Sequence, residues 1–163
     1  MARCLIVGCG CRGRMLAQQL RTDGHVVRGT TRREQELEVL QDAGIEPVLA
    51  DPDRLATLVP AFDHVGVICL LLGSASGTPA ALAALHGPRL ETLLFRVIDT
   101  TIHGVIYEAA GTADPGLLRS GASIVESACR QSSIPFELLE ARPDGGYEAW
   151  AAAAGDAVWR IIG

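Results

Sequence analysis

The sequence of 163 residues contains no lysine, and all 14 of its positively charged residues are arginine. This absence excludes every mechanism that needs a lysine, including Schiff-base chemistry, the P-loop lysine and a catalytic Tyr/Lys pair. Acidic residues number 19, which gives a net charge of −5. Because sequence-independent nucleic-acid binders normally carry a basic surplus, we expect no nucleic-acid partner.

Long apolar runs and a regular cysteine framework are also missing. The longest apolar run, residues 67–72, is too short to cross a membrane, and the first ten residues do not have the pattern of a signal peptide. The five cysteines are odd in number and widely spread, unlike a secreted disulfide framework. Cys9 and Cys11 lack the two further ligands that zinc needs. We therefore expect a cytoplasmic protein without a membrane association or a bound metal.

Short apolar segments of strand type alternate along the chain with segments of helical periodicity. Strands that are apolar throughout are typical of parallel sheets buried on both faces, and the alternation predicts helices on both sides. The predicted fold is α/β, a Rossmann-like doubly wound parallel sheet of about six strands, in a single domain over residues 1–163 with no separate substrate domain. The predicted strands are residues 4–7, 25–27, 47–49, 65–72, 105–107 and 136–139, and the helices are residues 14–20, 33–43, 53–59, 88–98, 115–131 and 146 onward.

The most informative motif is a glycine-rich loop between the first strand and the first helix. Gly8 permits a tight turn, Gly10 lets backbone approach a pyrophosphate, and Gly13 lets the helix pack closely on the strand. The amides of Cys11, Arg12 and Gly13 then face the phosphates from the helix N-terminus. The motif in this strand–turn–helix context predicts a dinucleotide as the ligand.

The end of the second strand indicates which dinucleotide is preferred. An acidic residue about 20 positions after the glycines would bind the ribose of NAD, but no acid occurs before Glu34, in the next helix. Thr31, Arg32 and Arg33 instead offer hydroxyl and guanidinium groups that suit a 2′-phosphate. The sequence favours NADP(H), with NAD(H) as the alternative.

These segments resemble the NAD(P)-binding part of the extended and atypical short-chain dehydrogenase/reductase superfamily, the NAD-dependent epimerase/dehydratase-like proteins. The resemblance runs from IVGCGCRGRMLAQQL through HVVRGTTRR and EPVLADPDR to GVIYEAAG, over roughly residues 3–140. It implies that Asp51 lies near the adenine, and that Leu71 and Leu72 lie along the cofactor.

The catalytic pattern of that family is missing. Active members place a serine or threonine after the fifth strand and then a YxxxK pair, whereas this chain has alanines after Glu108. The residue four positions after Tyr107 is Gly111, and the one four positions after Tyr147 is Ala151. The chain also ends shortly after the sixth predicted strand, so the resemblance implies a truncated member that keeps the cofactor-binding core.

Three functions remain open from the sequence. The first is a cofactor-binding sensor or regulator, or a degenerate epimerase paralogue. The second is a small NADPH-dependent oxidoreductase or epimerase, in which Glu108, at the end of the fifth strand, acts as a base; the alternative for Glu108 is a solvated or hydrogen-bonded carboxylate. The third is a regulatory nucleotide-binding domain of the potassium-channel gating type. Trp150 and Trp159 are predicted on opposite helix faces, so an exposed one would suggest a homodimer or a partner protein.

Overall fold

Six short strands pair in parallel to form a single sheet, and the computed structural model describes all residues, 1–163. The strand order is β3-β2-β1-β4-β5-β6, which confirms the predicted doubly wound sheet. The three central strands are almost entirely buried, as their apolar sequences predict. The strands are β1 (Arg3–Val7), β2 (Val26–Thr31), β3 (Glu46–Leu49), β4 (Val67–Leu70), β5 (Gly104–Glu108) and β6 (Phe136–Leu139).

Helices cover both faces of the sheet. One face packs against α1, α2 and α7 through a core that includes Leu16, Leu40 and Trp150. The other face packs against α3, α5 and α6 through a core that includes Leu58 and Leu94. The helices are α1 (Cys11–Thr22), α2 (Leu37–Asp42), α3 (Leu55–Leu58), α4 (Pro79–Leu85), α5 (Pro88–Val97), α6 (Pro115–Gln131) and α7 (Tyr147–Ile162).

The amphipathic patterns explain which helix faces are buried. On α5, the residues at helical spacing, from Leu90 through Val97, are buried against the sheet. On α7, Trp150 is 1% exposed and Trp159 is 68% exposed, so the two tryptophans lie on opposite faces as predicted. No helix in the structure has the length and apolar character needed to cross a membrane.

Several boundaries differ from the sequence prediction because strand pairing decides them. The second strand continues to Thr31, since Thr30 and Thr31 pair with Val48 and Leu49 of β3. The fourth strand ends at Leu70, where its neighbour β1 ends at Val7. The helix predicted over residues 33–43 is shorter, because Glu34–Glu36 form a 3₁₀ turn and α2 begins only at Leu37.

The strand order determines where a ligand can enter. The chain moves outward from β1 through β2 to β3, then returns to place β4 on the other side of β1. Connections therefore diverge between β1 and β4, which leaves a crevice outside the carboxyl ends of these strands. The glycine-rich loop follows β1 at this point.

Candidate functional site

The glycine-rich loop makes a tight turn whose shape depends on its first glycine. Gly8 has a φ of +86°, and a Cβ there would lie 2.7 Å from the carbonyl oxygen of Leu71. The Gly8 amide donates a hydrogen bond to Thr30 Oγ1 (3.2 Å), and the Cys9 amide donates to the Thr30 carbonyl (3.1 Å). The loop is thus held against both β2 and the segment after β4, and no residue with a side chain fits at position 8.

The N-terminus of α1 is open towards the crevice. The first hydrogen bond of this helix is donated by the Arg14 amide to the Gly10 carbonyl (2.9 Å), so the amides of Cys11, Arg12 and Gly13 have no acceptor within the helix. No side chain caps this end. A Cβ at Gly10 would meet no atom within 4 Å, so backbone borders open space there. This is the geometry of an anion site at a helix N-terminus.

Gly13 has a packing role beneath the loop. A Cβ at this position would lie 3.3 Å from Cys9 Sγ, from the Gly8 carbonyl oxygen and from Ile6 Cγ2. The glycine therefore lets α1 approach β1 closely, which is the function assigned to it from the motif. It does not line the cavity.

The end of β2 supplies a positively charged wall. Arg32 and Arg33 are exposed, and neither guanidinium forms an ion pair or a side-chain hydrogen bond. The hydroxyl of Thr31 accepts a hydrogen bond from the Arg33 amide (3.2 Å), which fixes the turn. Two guanidinium groups without partners beside a helix N-terminus favour an anionic ligand.

A cavity of about 500 Å³ brings these groups together. Its apolar part comes from the segment after β4, which the resemblance places along a cofactor, and from α4. Sequence reasoning did not assign α4 to the site. Leu71 and Leu72 lie on it as the resemblance implies, and α4 adds Ala81, Leu82 and Leu85. The only local signal for α4 was the Thr78-Pro79 pair, in which the Thr78 hydroxyl accepts a hydrogen bond from the Ala81 amide (3.1 Å). The predicted residues that line the cavity are Gly8, Gly10, Cys11, Arg12, Thr31, Arg32, Arg33, Leu71 and Leu72.

Asp51, which the resemblance places near the adenine, is not among the residues that line the cavity. Its carboxylate accepts a hydrogen bond from the Asp53 amide (2.9 Å) and so stabilises the turn after β3. Asp53, two residues later, does line the cavity. Asp53 Oδ1 lies 3.1 Å from Arg89 Nε, but the pair is not aligned for a hydrogen bond, and this buried oxygen has no donor.

Glu108 is not the solvent-accessible base that its position at the end of β5 suggested. The side chain is fully buried, and its carboxylate pairs with the guanidinium of Arg12. It also accepts hydrogen bonds from the Gly73 amide (2.8 Å) and from Trp150 Nε1 (3.1 Å). The guanidinium of Arg12 stacks over the Trp150 ring, 4.9 Å from its centroid. The hydrogen-bonded carboxylate, the alternative stated for Glu108, is what the structure contains.

Three further titratable groups close to the crevice, Cys9, Tyr107 and His86, are also buried. Burial raises the pKa of Cys9 to about 12, and only Cys11 among the five cysteines is exposed. Tyr107 is fully buried, and its hydroxyl lies 2.6 Å from His86 Nδ1. His86 therefore packs in the core and does not serve the helix end at which the sequence places it. No group of three or more histidine, cysteine or acidic residues is arranged to hold a metal ion.

Comparison with known proteins gives matches only among solved structures. No protein-family model matches the sequence, and no curated protein matches it. A short-chain dehydrogenase/reductase superfamily protein from Agrobacterium tumefaciens with bound NAD matches with a TM-score of 0.68 and 19% identity, covering 85% of this chain. This chain spans about half (48%) of that protein.

Two further structures extend the comparison. A putative NAD-dependent epimerase/dehydratase from Bacillus halodurans matches with a TM-score of 0.70 and 21% identity, covering 88% of this chain and 71% of that one. The triphenylmethane reductase of Citrobacter sp., complexed with NADP(H), matches with a TM-score of 0.64 and 20% identity, covering 85% and 48%. The resemblance drawn from the sequence is thus confirmed at the level of fold: this chain has the Rossmann-like fold of short-chain dehydrogenase/reductase and epimerase/dehydratase proteins.

Proposed function

We propose that this protein binds NADP(H) in the cavity between the glycine-rich loop and the end of β2, and that it acts as a cofactor-binding sensor or regulator. One observation carries the proposal. The uncapped N-terminus of α1 and the unpaired guanidinium groups of Arg32 and Arg33 border a single cavity of about 500 Å³. NADP(H) carries a diphosphate and, on the adenine ribose, a 2′-phosphate, so one ligand offers phosphate to both groups.

The residues present fit the parts of this cofactor. The amides of Cys11, Arg12 and Gly13 suit the diphosphate, for which Gly10 leaves room. Arg32 and Arg33 suit the 2′-phosphate. When bound, the nicotinamide ring supplies a site that gives or takes a hydride.

The balance of charge around the cavity favours NADP(H) over NAD(H). Two acidic residues border it, Glu36 and Asp53, and the charge of Asp53 is offset by Arg89 at 3.1 Å. Three arginines without an acidic partner, Arg14, Arg32 and Arg33, also border the cavity, so positive charge exceeds negative charge there. Since no acid occupies the end of β2, nothing there would repel a 2′-phosphate or bind the free ribose hydroxyls of NAD.

Binding without turnover is supported by the absence of lysine and by the burial of the tyrosine and the carboxylate of β5. No lysine exists in the chain, the Tyr107 hydroxyl is bonded to His86 in the core, and the carboxylate of Glu108 has three partners of its own. An acid–base residue must reach the reacting group to transfer a proton. The solved structures of similar fold carry bound NAD or NADP(H), which supports the choice of ligand class.

A pair of glycine substitutions tests the proposal. Gly10→Val places a side chain in the open space where the diphosphate would lie, while Gly145→Val places one in open space outside the cavity. Gly10 has φ −84° and ψ −153°, which any residue adopts. We expect the melting temperatures of both variants to lie close to that of the wild type. Calorimetry should show NADPH affinity kept in Gly145→Val and lowered at least tenfold, about 1.4 kcal/mol, in Gly10→Val.

Two results would count against this function. Equal NADPH affinity in the wild type and Gly10→Val would place the ligand elsewhere on the protein. No detectable NADPH binding by the folded wild type at millimolar concentration would remove the dinucleotide as its ligand.

A further inference from the structure

The candidate cavity does not extend to the ends of β5 and β6. Every residue that lines it lies between Gly8 and Leu85 in the chain. The loops that follow β5 and β6 contribute none. The cavity is therefore bordered by the ends of β1, β2, β3 and β4, four of the six strands, and not by those of β5 and β6.

A dinucleotide normally needs both halves of such a crevice. In doubly wound sheets the two nucleotides lie on either side of the point where strand order reverses. Here the adenosine nucleotide belongs on the β1–β2–β3 side, where the arginines are. The nicotinamide nucleotide would belong beyond β4, outside the carboxyl end of β5.

That second position is filled by side chains of the protein. Glu108 is the last residue of β5 and is 0% exposed, and Trp150 of α7 is 1% exposed. Glu108 accepts hydrogen bonds from Trp150 Nε1 and from the Gly73 amide, which closes the segment after β4 over it. Arg12 completes the Arg12–Glu108–Trp150 cluster by pairing with the carboxylate and stacking on the indole ring.

The cluster is expected to stay in place when a ligand binds. Moving Arg12 towards the ligand would leave the Glu108 carboxylate buried without its counter-ion, which is a strongly unfavourable state. Moving Trp150 would remove a hydrogen-bond donor from the same carboxylate and open the core beneath α7. A phosphate can instead use the backbone amides of the α1 N-terminus, which need no rearrangement.

We infer that the site binds the class of 2′-phosphorylated adenosine diphosphates, and that the nicotinamide nucleotide of NADP(H) stays outside the protein. This inference rests on the proposed function and narrows it. The affinity lies in the adenosine half, so the protein does not distinguish NADP⁺ from NADPH. The fraction of protein with ligand bound therefore follows the total concentration of NADP⁺ and NADPH and not the ratio between them.

Calorimetry of the full chain with four probes tests the inference: NADPH, NADP⁺, 2′-phospho-ADP-ribose and nicotinamide mononucleotide. We expect the first three dissociation constants to agree within fivefold and the mononucleotide to give no heat of binding. A dissociation constant for 2′-phospho-ADP-ribose more than fivefold above that of NADPH overturns the inference. So does a difference of more than fivefold between NADP⁺ and NADPH.

The emission of NADPH gives a second readout. A dihydronicotinamide ring that remains in water should keep its emission maximum and intensity on binding, whereas a ring enclosed by protein should emit at shorter wavelength and more strongly. A blue-shifted, enhanced emission overturns the inference while leaving NADP(H) binding intact. Failure of NADPH to bind at all would instead remove the proposed function and this inference together.

Discussion

At the scale of single residues, Arg12 shows how one position serves two purposes. Its amide lies at the open N-terminus of α1, as the glycine motif predicts. Its side chain turns away from the anion site and neutralises Glu108. A fully buried carboxylate requires an ionic partner and hydrogen bonds, and Arg12 is the cation that reaches it.

His86 makes the stability of the protein depend on pH. Burial lowers the pKa of His86, with the Leu72 carbonyl acting in the opposite direction, and its Nε2 has no hydrogen-bond partner. The folded protein therefore favours the neutral ring, while the unfolded chain takes up a proton below about pH 6.5. His86 therefore contributes fully to the free energy of unfolding above that pH, and this contribution is lost as the pH falls.

The prediction is measured by urea unfolding between pH 7.5 and pH 5.5. The free energy of unfolding of the wild type should fall towards pH 5.5, and His86→Gln, which cannot titrate, should fall less. The pKa of Glu46 is lowered chiefly by its hydrogen bond from Arg3, so its effect appears only at more acid pH. Parallel pH profiles for the wild type and the variant would contradict the assignment to His86.

The sequence predicted the residues whose roles are local, and it missed those whose roles are not. Gly8 and Gly10 lie where the motif places them, because a turn after a strand fixes its neighbours within a few residues. The Arg12–Glu108 pair joins residues 96 positions apart, and no local pattern encodes such a contact. The turn after β3, in which the Asp53 amide donates to the Asp51 carboxylate, brings Asp53 and not Asp51 to the cavity lining, and this too has no local signal.

At the scale of elements, α6 begins where the sequence predicts. Asp114 accepts a hydrogen bond from the Leu117 amide (3.3 Å), and Pro115 occupies the first helical position. Asp114→Ala removes this cap and should lower the free energy of unfolding by about 1 kcal/mol, measured by urea denaturation. The matched variant Asp114→Asn, also a good cap, should lose far less. Equal losses in the two variants would show that the cap does not stabilise the helix.

The length of strand β2 could not be predicted from the sequence alone. Its apolar pattern stops at Val27, yet the strand runs to Thr31 because it pairs with β1 on one side and β3 on the other. Gly29 is needed within it, since a Cβ there would lie 2.8 Å from Cys9 Sγ beneath the glycine loop. Strand pairing outweighs local propensity here, and it delivers Thr31 and Arg32 to the edge of the cavity.

At the scale of the whole molecule, the crevice has one open half and one closed half. The open half carries the glycine-rich loop, the arginines after β2 and the apolar wall of α4. The closed half is sealed by the side chains of Arg12, Glu108 and Trp150. The strand order creates both parts of the crevice, and the buried ion pair fills one of them.

The most direct test is calorimetric titration of the wild type with NADPH and NADH in parallel, repeated with Arg32→Ala and with Arg96→Ala. Arg96 is an exposed arginine of α5 outside the cavity, so its variant controls for the loss of one charge. We predict that NADPH binds the wild type and Arg96→Ala at least tenfold more tightly than NADH, a difference of about 1.4 kcal/mol. Arg32→Ala should lose most of that preference through weaker NADPH binding alone. Equal affinities in the wild type, or a preference for NADH, would contradict the account.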